Sequence, residues 1–245
     1  MTQFVRVTDD GAILEIQINR TAKKNALTAT MYNDMSTALE DASKRDEIRV
    51  VLIHGAGNDF CAGNDLKDFI SEEGGGAAAF TFIRTIAMFK KPIIVAVQGL
   101  AVGIGTTMLF HCDLVYASPD SQFLMPFVNL GIIPEAGSSM LAPKTFGYAK
   151  AAAMLLLGEP SGAIEAEHMG LVTRIIPGDQ LLQHVRLKAH ILANKSPAAV
   201  LTTRLLMKGD LSALAARIDQ EAGLFRQAMQ TSEAREAFAA FFRKP

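Results

Sequence analysis

Tryptophan is missing from the 245 residues, and cysteine occurs only 2 times. Cys61 and Cys112 are too few for a disulfide framework and lack metal-ligand spacing, which points to a reducing compartment. An excess of either charge is also missing: 24 Lys and Arg stand against 25 Asp and Glu, and the basic residues are scattered. A nucleic-acid partner and an anionic membrane surface are thereby excluded as expectations. No apolar run reaches the roughly 18 residues that a membrane-spanning helix needs. Residues 1–6 have neither the charged nor the apolar region of a signal peptide, and Arg243-Lys244-Pro245 is not a peroxisomal tripeptide, so a cytoplasmic location is expected. The five histidines, at 54, 111, 168, 184 and 190, lack H-E-x-x-H spacing, so the sequence predicts no metal site and structural or exposed roles for each.

What is present, at 49% hydrophobic content, is enough to bury a sizeable core. Two strands, Phe4–Thr8 and Ala12–Ile18, flank the turn Asp9-Asp10-Gly11. Met31, Met35, Ala38, Leu39 and Ala42 fall at helical spacing behind Thr28, a capping residue. Further strands are expected at Val50–His54, Ile93–Val97, Leu114–Ala117 and Gln122–Leu124. Helices are expected near Leu66–Ile70 and over Ala77–Phe89, with Gly74-Gly75-Gly76 as a mobile loop before the second. Strands interleaved with helices predict an α/β core over residues 1–178. Residues 179–245 read as helices only: Gln180–Leu192, Pro197–Met207, Leu211–Met229 and Glu233–Phe242. Their apolar faces require packing on the core or on another subunit.

Two glycine-containing loops each follow an apolar strand and precede a helical segment: Phe60-Cys61-Ala62-Gly63-Asn64-Asp65-Leu66 and Gln98-Gly99-Leu100-Ala101-Val102-Gly103-Ile104-Gly105. Such turns free backbone N–H groups, and two that converge on one oxygen form an oxyanion hole. Tight packing alone also explains such glycines. The second loop lacks the third glycine of a dinucleotide fingerprint.

Taken in order, Lys24-Asn25-Ala26-Leu27, then Phe60–Leu66, then Lys91-Pro92 through Gly105, then Cys112-Asp113-Leu114, and on through Gly158 to Gly170-Leu171-Val172, the chain resembles the crotonase (enoyl-CoA hydratase/isomerase) superfamily over essentially its whole length. The resemblance implies a spiral of repeated β-β-α turns and a C-terminal helical region that makes homotrimers or hexamers. It implies an acyl-CoA thioester substrate, with coenzyme A as part of that substrate and no other cofactor. Its oxyanion donors would be the N–H groups of Ala62 and Ile104. Contacts to the coenzyme are implied for Ala26 and the Gly63, Asn64, Asp65 and Leu66 loop. Lys23 and Lys24 stand where they could meet the phosphates, and Phe242 and Lys244 where they could reach an adenine from a neighbouring subunit.

Hydratases of this superfamily hold water between two glutamates; the matching positions here are Thr107 and Phe127. The segment from Pro126 to Ser139 instead looks like that of the 3-enoyl-CoA to 2-enoyl-CoA isomerases, whose one catalytic glutamate matches Glu135. One carboxylate suffices for that reaction, because the base removes a proton at the alpha carbon and returns it at the gamma carbon. Phe127, Ile132, Ile133 and Met140 suggest an apolar pocket that would raise the pKa of Glu135, whereas a place in a first helical turn after Pro134 would lower it. Asp65 and Asp68 each read as a cap or a solvated loop residue, and Cys61 as a small buried hydrophobe. A residual hydratase, an aspartate-dependent dehalogenase type and a non-catalytic acyl-CoA binder are the alternatives; the absent tryptophan and Glu135 itself weigh against the last two.

Overall fold

The computed structural model describes residues 2–69 and 75–243. The expected hairpin is formed by β1 (Val5–Asp10) and β2 (Ile13–Ile18), antiparallel, with Val5 opposite Ile18 and Asp10 opposite Ile13. Helix α1 (Ala29–Lys44) begins at Thr28, whose hydroxyl accepts the Met31 N–H at 3.4 Å. Strand β3 (Val50–Gly55) is followed by α2 (Leu66–Phe69), α3 (Gly75–Met88) and β4 (Ile93–Val97). Gly75 and Gly76 therefore belong to the first turn of α3 and not to a loop; Ile70 and Gly74 lie outside the described residues. Leu100–Val102, which reads as loop in the sequence, is a short strand, β5, and leads into α4 (Ile104–Thr107).

Strands β6 (Leu114–Ala117) and β7 (Gln122–Leu124) precede α5 (Ser138–Phe146) and α6 (Tyr148–Ala152). Strand β8 (Ser161–Gly162), α7 (Ala163–His168) and β9 (Arg174–Ile175) complete the core. The main sheet has the order β1-β2-β3-β4-β6-β9, parallel from β2 onward, and a second sheet has the order β5-β7-β8. Parallel strands are covered on both faces, which explains why Val50 through Ile53 are all buried. Alternation then sorts them: Val50 and Leu52 meet the C-terminal region, while Val51 and Ile53 meet the larger core that contains α1 and α3. Each such fully buried side chain contributes about 1.5–3 kcal/mol.

The last four helices are α8 (Gly178–Ala193), α9 (Pro197–Lys208), α10 (Ser212–Ala228) and α11 (Ser232–Arg243). Helix α8 places Leu181, Val185, Ala189 and Ala193 on the sheet. Helix α9 is pinned by Arg204, whose guanidinium bonds Asp113 at 2.8 Å and the Phe89 carbonyl at 2.7 Å; Leu205, Leu206 and Met207 on the same helix are exposed. Helix α10 packs on α3 and sends Leu214, Ile218 and Phe225 into the core. Among the described residues no helix is long and apolar enough to cross a membrane.

Candidate active site

The two glycine loops lie side by side. The Cys61 N–H donates to the Leu100 carbonyl and the Val102 N–H to the Cys61 carbonyl, each at 2.9 Å, so residue 61 acts as an added rung on β5. Gly105 permits this approach: a Cβ there would stand 2.5 Å from the Cys61 carbonyl oxygen. One turn of chain further, the Leu27 N–H donates to Gly63 and the Asp65 N–H to Leu27, both at 2.8 Å. This parallel bridge turns the backbone N–H of the intervening Asn64 away from Leu27.

The sequence places an oxyanion donor at Ala62, and the structure corrects that position. The Ala62 N–H is spent on the Lys24 carbonyl at 2.9 Å, where it clamps the two segments together. Among the described residues the N–H groups of Asn64 and Ile104 donate no hydrogen bond, the latter because it opens α4 and has no preceding turn to bond. Asn64, Ile104 and Glu135 line one small chamber, of about 10 Å³, together with Tyr32, Phe69, Ala79, Phe80, Ile83 and Phe225.

Glu135 is 4% exposed. Its Oε1 accepts the Thr107 hydroxyl at 2.5 Å, and its Oε2 is buried with no hydrogen-bond partner among the described residues. Helix α5 starts three residues later, because Ala136 (φ 61) and Gly137 (φ 70) both adopt the left-handed conformation and interrupt any helix there. The expected place in a first helical turn is thus overturned, and with it the lowering by the helix dipole. Burial prevails and pushes the carboxyl from 4.5 up to about 8, against the Thr107 hydrogen bond. The apolar wall is also different from the expected one: Phe127 and Ile132 line the adjoining cavity, while Ile133 and Met140 pack on the core.

That adjoining cavity, of about 130 Å³, runs between Ala62, Gly63, Asn64 and Leu66 on one side and Phe127, Phe238 and Phe241 on the other. It shares Asn64, Phe69 and Phe225 with the chamber of Glu135. Lys23 and Lys24 are exposed, and Ala26 is half-buried with its carbonyl bonded to Arg20 at 3.0 Å. Asp65 pairs with Arg20 at 2.8 Å and caps the Lys67 and Asp68 amides, in keeping with its reading as a cap. Phe242 packs edge-on against Phe241 and does not line this cavity; Lys244 lies outside the described residues.

The remaining chemistry-bearing residues have structural surroundings. Cys61 is buried and its thiol is pushed up to about 12. His54 bonds Glu15 at 2.9 Å, and that hydrogen bond, with Arg186 beside it, holds the Glu15 carboxyl down to about 2. His111 is buried, lowered to about 4 and hence neutral, and its Nε2–H donates to the Ala136 carbonyl at 2.9 Å. Among the described residues no group of three or more His, Cys, Asp or Glu side chains could hold a metal ion.

Sequence reading misses Tyr32, Phe225 and Glu221 in this region. Tyr32 is fully buried and its hydroxyl donates to the Asn64 side-chain oxygen. A signal existed in the spacing Tyr32, Met35, Leu39 on α1, and in a lone glutamate within the apolar stripe Leu214, Ile218, Glu221, Phe225 of α10.

The profile of the enoyl-CoA hydratase/isomerase family matches residues 8–245. Enoyl-CoA delta isomerase 2 of Rattus norvegicus is 38% identical over 98% of the chain, which spans 64% of that protein's length. The 1,2-epoxyphenylacetyl-CoA isomerase of Escherichia coli is 28% identical, with 100% of the chain and 97% of that protein aligned. A solved enoyl-CoA hydratase/isomerase structure from Pseudoalteromonas atlantica superposes with a TM-score of 0.94 at 38% identity, covering 99% of each chain. With this agreement along its whole length in both sequence and fold, the chain belongs to the enoyl-CoA hydratase/isomerase family, the crotonase superfamily.

Proposed function

We propose that the protein converts 3-enoyl-CoA thioesters to 2-enoyl-CoA thioesters, with Glu135 as its single acid–base group. The observation that carries this reading is one buried carboxylate with an unpartnered oxygen, in a chamber shared with two residues whose N–H groups are unengaged. Glu135 Oε2 takes the proton from the alpha carbon. The electron pair moves into a dienolate whose charge rests on the thioester oxygen. The N–H groups of Asn64 and Ile104 hold that oxygen; one such donor is typically worth on the order of 10²–10³ in rate. The same carboxyl then returns the proton to the gamma carbon, which leaves the double bond conjugated with the thioester.

Hydration needs a second group to hold and activate water. At the two positions where hydratases keep glutamates, this chain has a threonine that bonds Glu135 and a phenylalanine in an apolar wall. Proton transfer within one substrate changes no oxidation state, so neither a redox cofactor nor a metal enters the scheme. The coenzyme portion of the substrate is assigned to the 130 Å³ cavity lined by Gly63, Asn64 and Leu66; the family resemblance adds Lys24, Ala26 and Asp65 to its contacts. The exposed apolar residues of α9 support assembly into trimers or hexamers.

The test is the conversion of trans-3-hexenoyl-CoA to the conjugated isomer by the native protein and by Glu135→Gln, with crotonyl-CoA hydration measured in parallel. The expected result is isomerisation that falls by about 10²–10⁴ in the variant. In the native protein kcat/KM should rise with pH and level off above about 8, as the carboxyl ionises. Activity untouched by the substitution removes Glu135 from this role, and hydration faster than isomerisation makes the protein a hydratase.

A further inference from the structure

We infer that Glu221, on the C-terminal helix α10, is a positioning residue for Glu135. It deepens the reading of Glu135 as the base and rests on it.

The turn that carries Glu135 contains two consecutive left-handed residues, Ala136 and Gly137. A non-glycine residue in that conformation is strained and persists only where its surroundings enforce it. Enforcement comes from three directions. The Glu135 carbonyl accepts the Ser138 N–H at 3.0 Å and the Ser138 hydroxyl at 2.5 Å. The Ala136 carbonyl accepts His111. The third hold is remote in sequence: Glu221 accepts the Gly137 N–H at 2.6 Å, the Ser139 N–H at 3.0 Å and the Ser139 hydroxyl at 2.5 Å.

Helix α5 has glycine at its N-cap and no side-chain cap of its own, so Glu221 supplies the missing acceptor. Its carboxylate is 3% exposed, and burial raises its pKa against the donated hydrogen bonds. Arg217, one turn earlier on α10, donates to the Ser139 hydroxyl at 3.0 Å and completes the network. A buried anion one residue beyond the Ala136 turn also acts on Glu135 through space, and raises its pKa. The other groups that face this turn are Tyr32 on α1, neutral His111, and Arg217.

The experiment compares the native protein, Glu221→Gln, Glu221→Asp, Glu135→Gln and the double variant Glu221→Gln/Glu135→Gln. For Glu221→Gln, kcat on trans-3-hexenoyl-CoA should fall by on the order of 10², the scale of a misplaced catalytic group, while KM changes little. The midpoint of the pH profile should move to lower pH. Glu221→Asp keeps the charge but is one methylene short: its kcat should fall while its midpoint stays. In the Glu135→Gln background, Glu221→Gln should cost no further activity. A readout without substrate runs beside these: the pH dependence of the melting temperature, referenced to the matching Glu135→Gln protein, reports ionisation of Glu135 directly, and Glu221→Gln should displace it to lower pH. Unchanged kcat and unchanged midpoints in folded Glu221→Gln overturn the positioning role. If Glu135→Gln keeps full activity, the reading of the base fails, and the melting comparison alone still decides whether Glu221 acts on Glu135.

Discussion

Replacement of Glu135 by Gln offers a test of the site that needs no substrate. In the folded protein the carboxyl is raised from 4.5 to about 8 by burial. A raised carboxyl is at no disadvantage below its unfolded pKa; the cost of keeping it in the fold grows as pH rises from 4.5 towards 8 and then stays constant. Each pH unit in that window costs about 1.4 kcal/mol, so between about pH 5.5 and pH 9 the native protein loses roughly 3 kcal/mol that the glutamine variant keeps. For a chain of this size that is a difference of roughly 6–12 °C in melting temperature. The amide also leaves the former Oε2 position unpaired, a penalty that is the same at every pH and cancels when two pH values are compared. The assay is thermal melting of both proteins at fixed concentration across this range. The native protein should fall behind the variant as the buffer becomes alkaline. A gap that is constant with pH would mean that Glu135 ionises as an ordinary exposed carboxylate, and the account of a buried base would fail.

Thr107→Val removes the one hydrogen bond that the Glu135 carboxylate accepts among the described residues, without changing the side-chain volume much. The midpoint of kcat/KM should rise further above 8, and the rate at pH 7 should drop; a midpoint that moves down would contradict the assigned direction. Gly105→Ala would bring a methyl group to 2.5 Å from the Cys61 carbonyl, and overpacking of this kind costs about 1–3 kcal/mol. The variant should melt lower and lose activity, since the shift separates Asn64 from Ile104; native melting and native rate would refute the close approach of the two loops.

Much of this architecture is legible in the sequence, for a physical reason. Val50–Ile53 and Ile93–Val97 are short apolar runs of the kind a doubly covered parallel strand carries, and the four C-terminal helices lie within two residues of their expected limits. What is illegible depends on contacts between distant segments. The strand Leu100–Val102 is too short to show a period and exists because Cys61 and Gln122–Leu124 pair with it. The engagement of the Ala62 N–H depends on Lys24, 38 residues earlier (62 − 24), and no local pattern announces it. Ala136 gave no warning either, since nothing in its side chain favours the left-handed conformation that ends the helix before Glu135. The family resemblance points to Glu135 as the candidate base; only the packing of α10 reveals what holds its turn.

Helix α10 contributes Glu221 to the turn that carries Glu135 and, one turn later, Phe225 to the lining of both cavities. With Glu135 as the proposed base, admission and alignment would therefore both depend on the seating of this one helix. A displacement that widened the chamber at Phe225 would draw the carboxylate off the Gly137 and Ser139 amides at the same time. An acyl chain too bulky to enter with the helix seated would still find its thioester and coenzyme contacts, yet would face a base out of line. Discrimination among acyl groups should accordingly be written in turnover and not in affinity: poor substrates of this protein would be well-bound inhibitors of good ones.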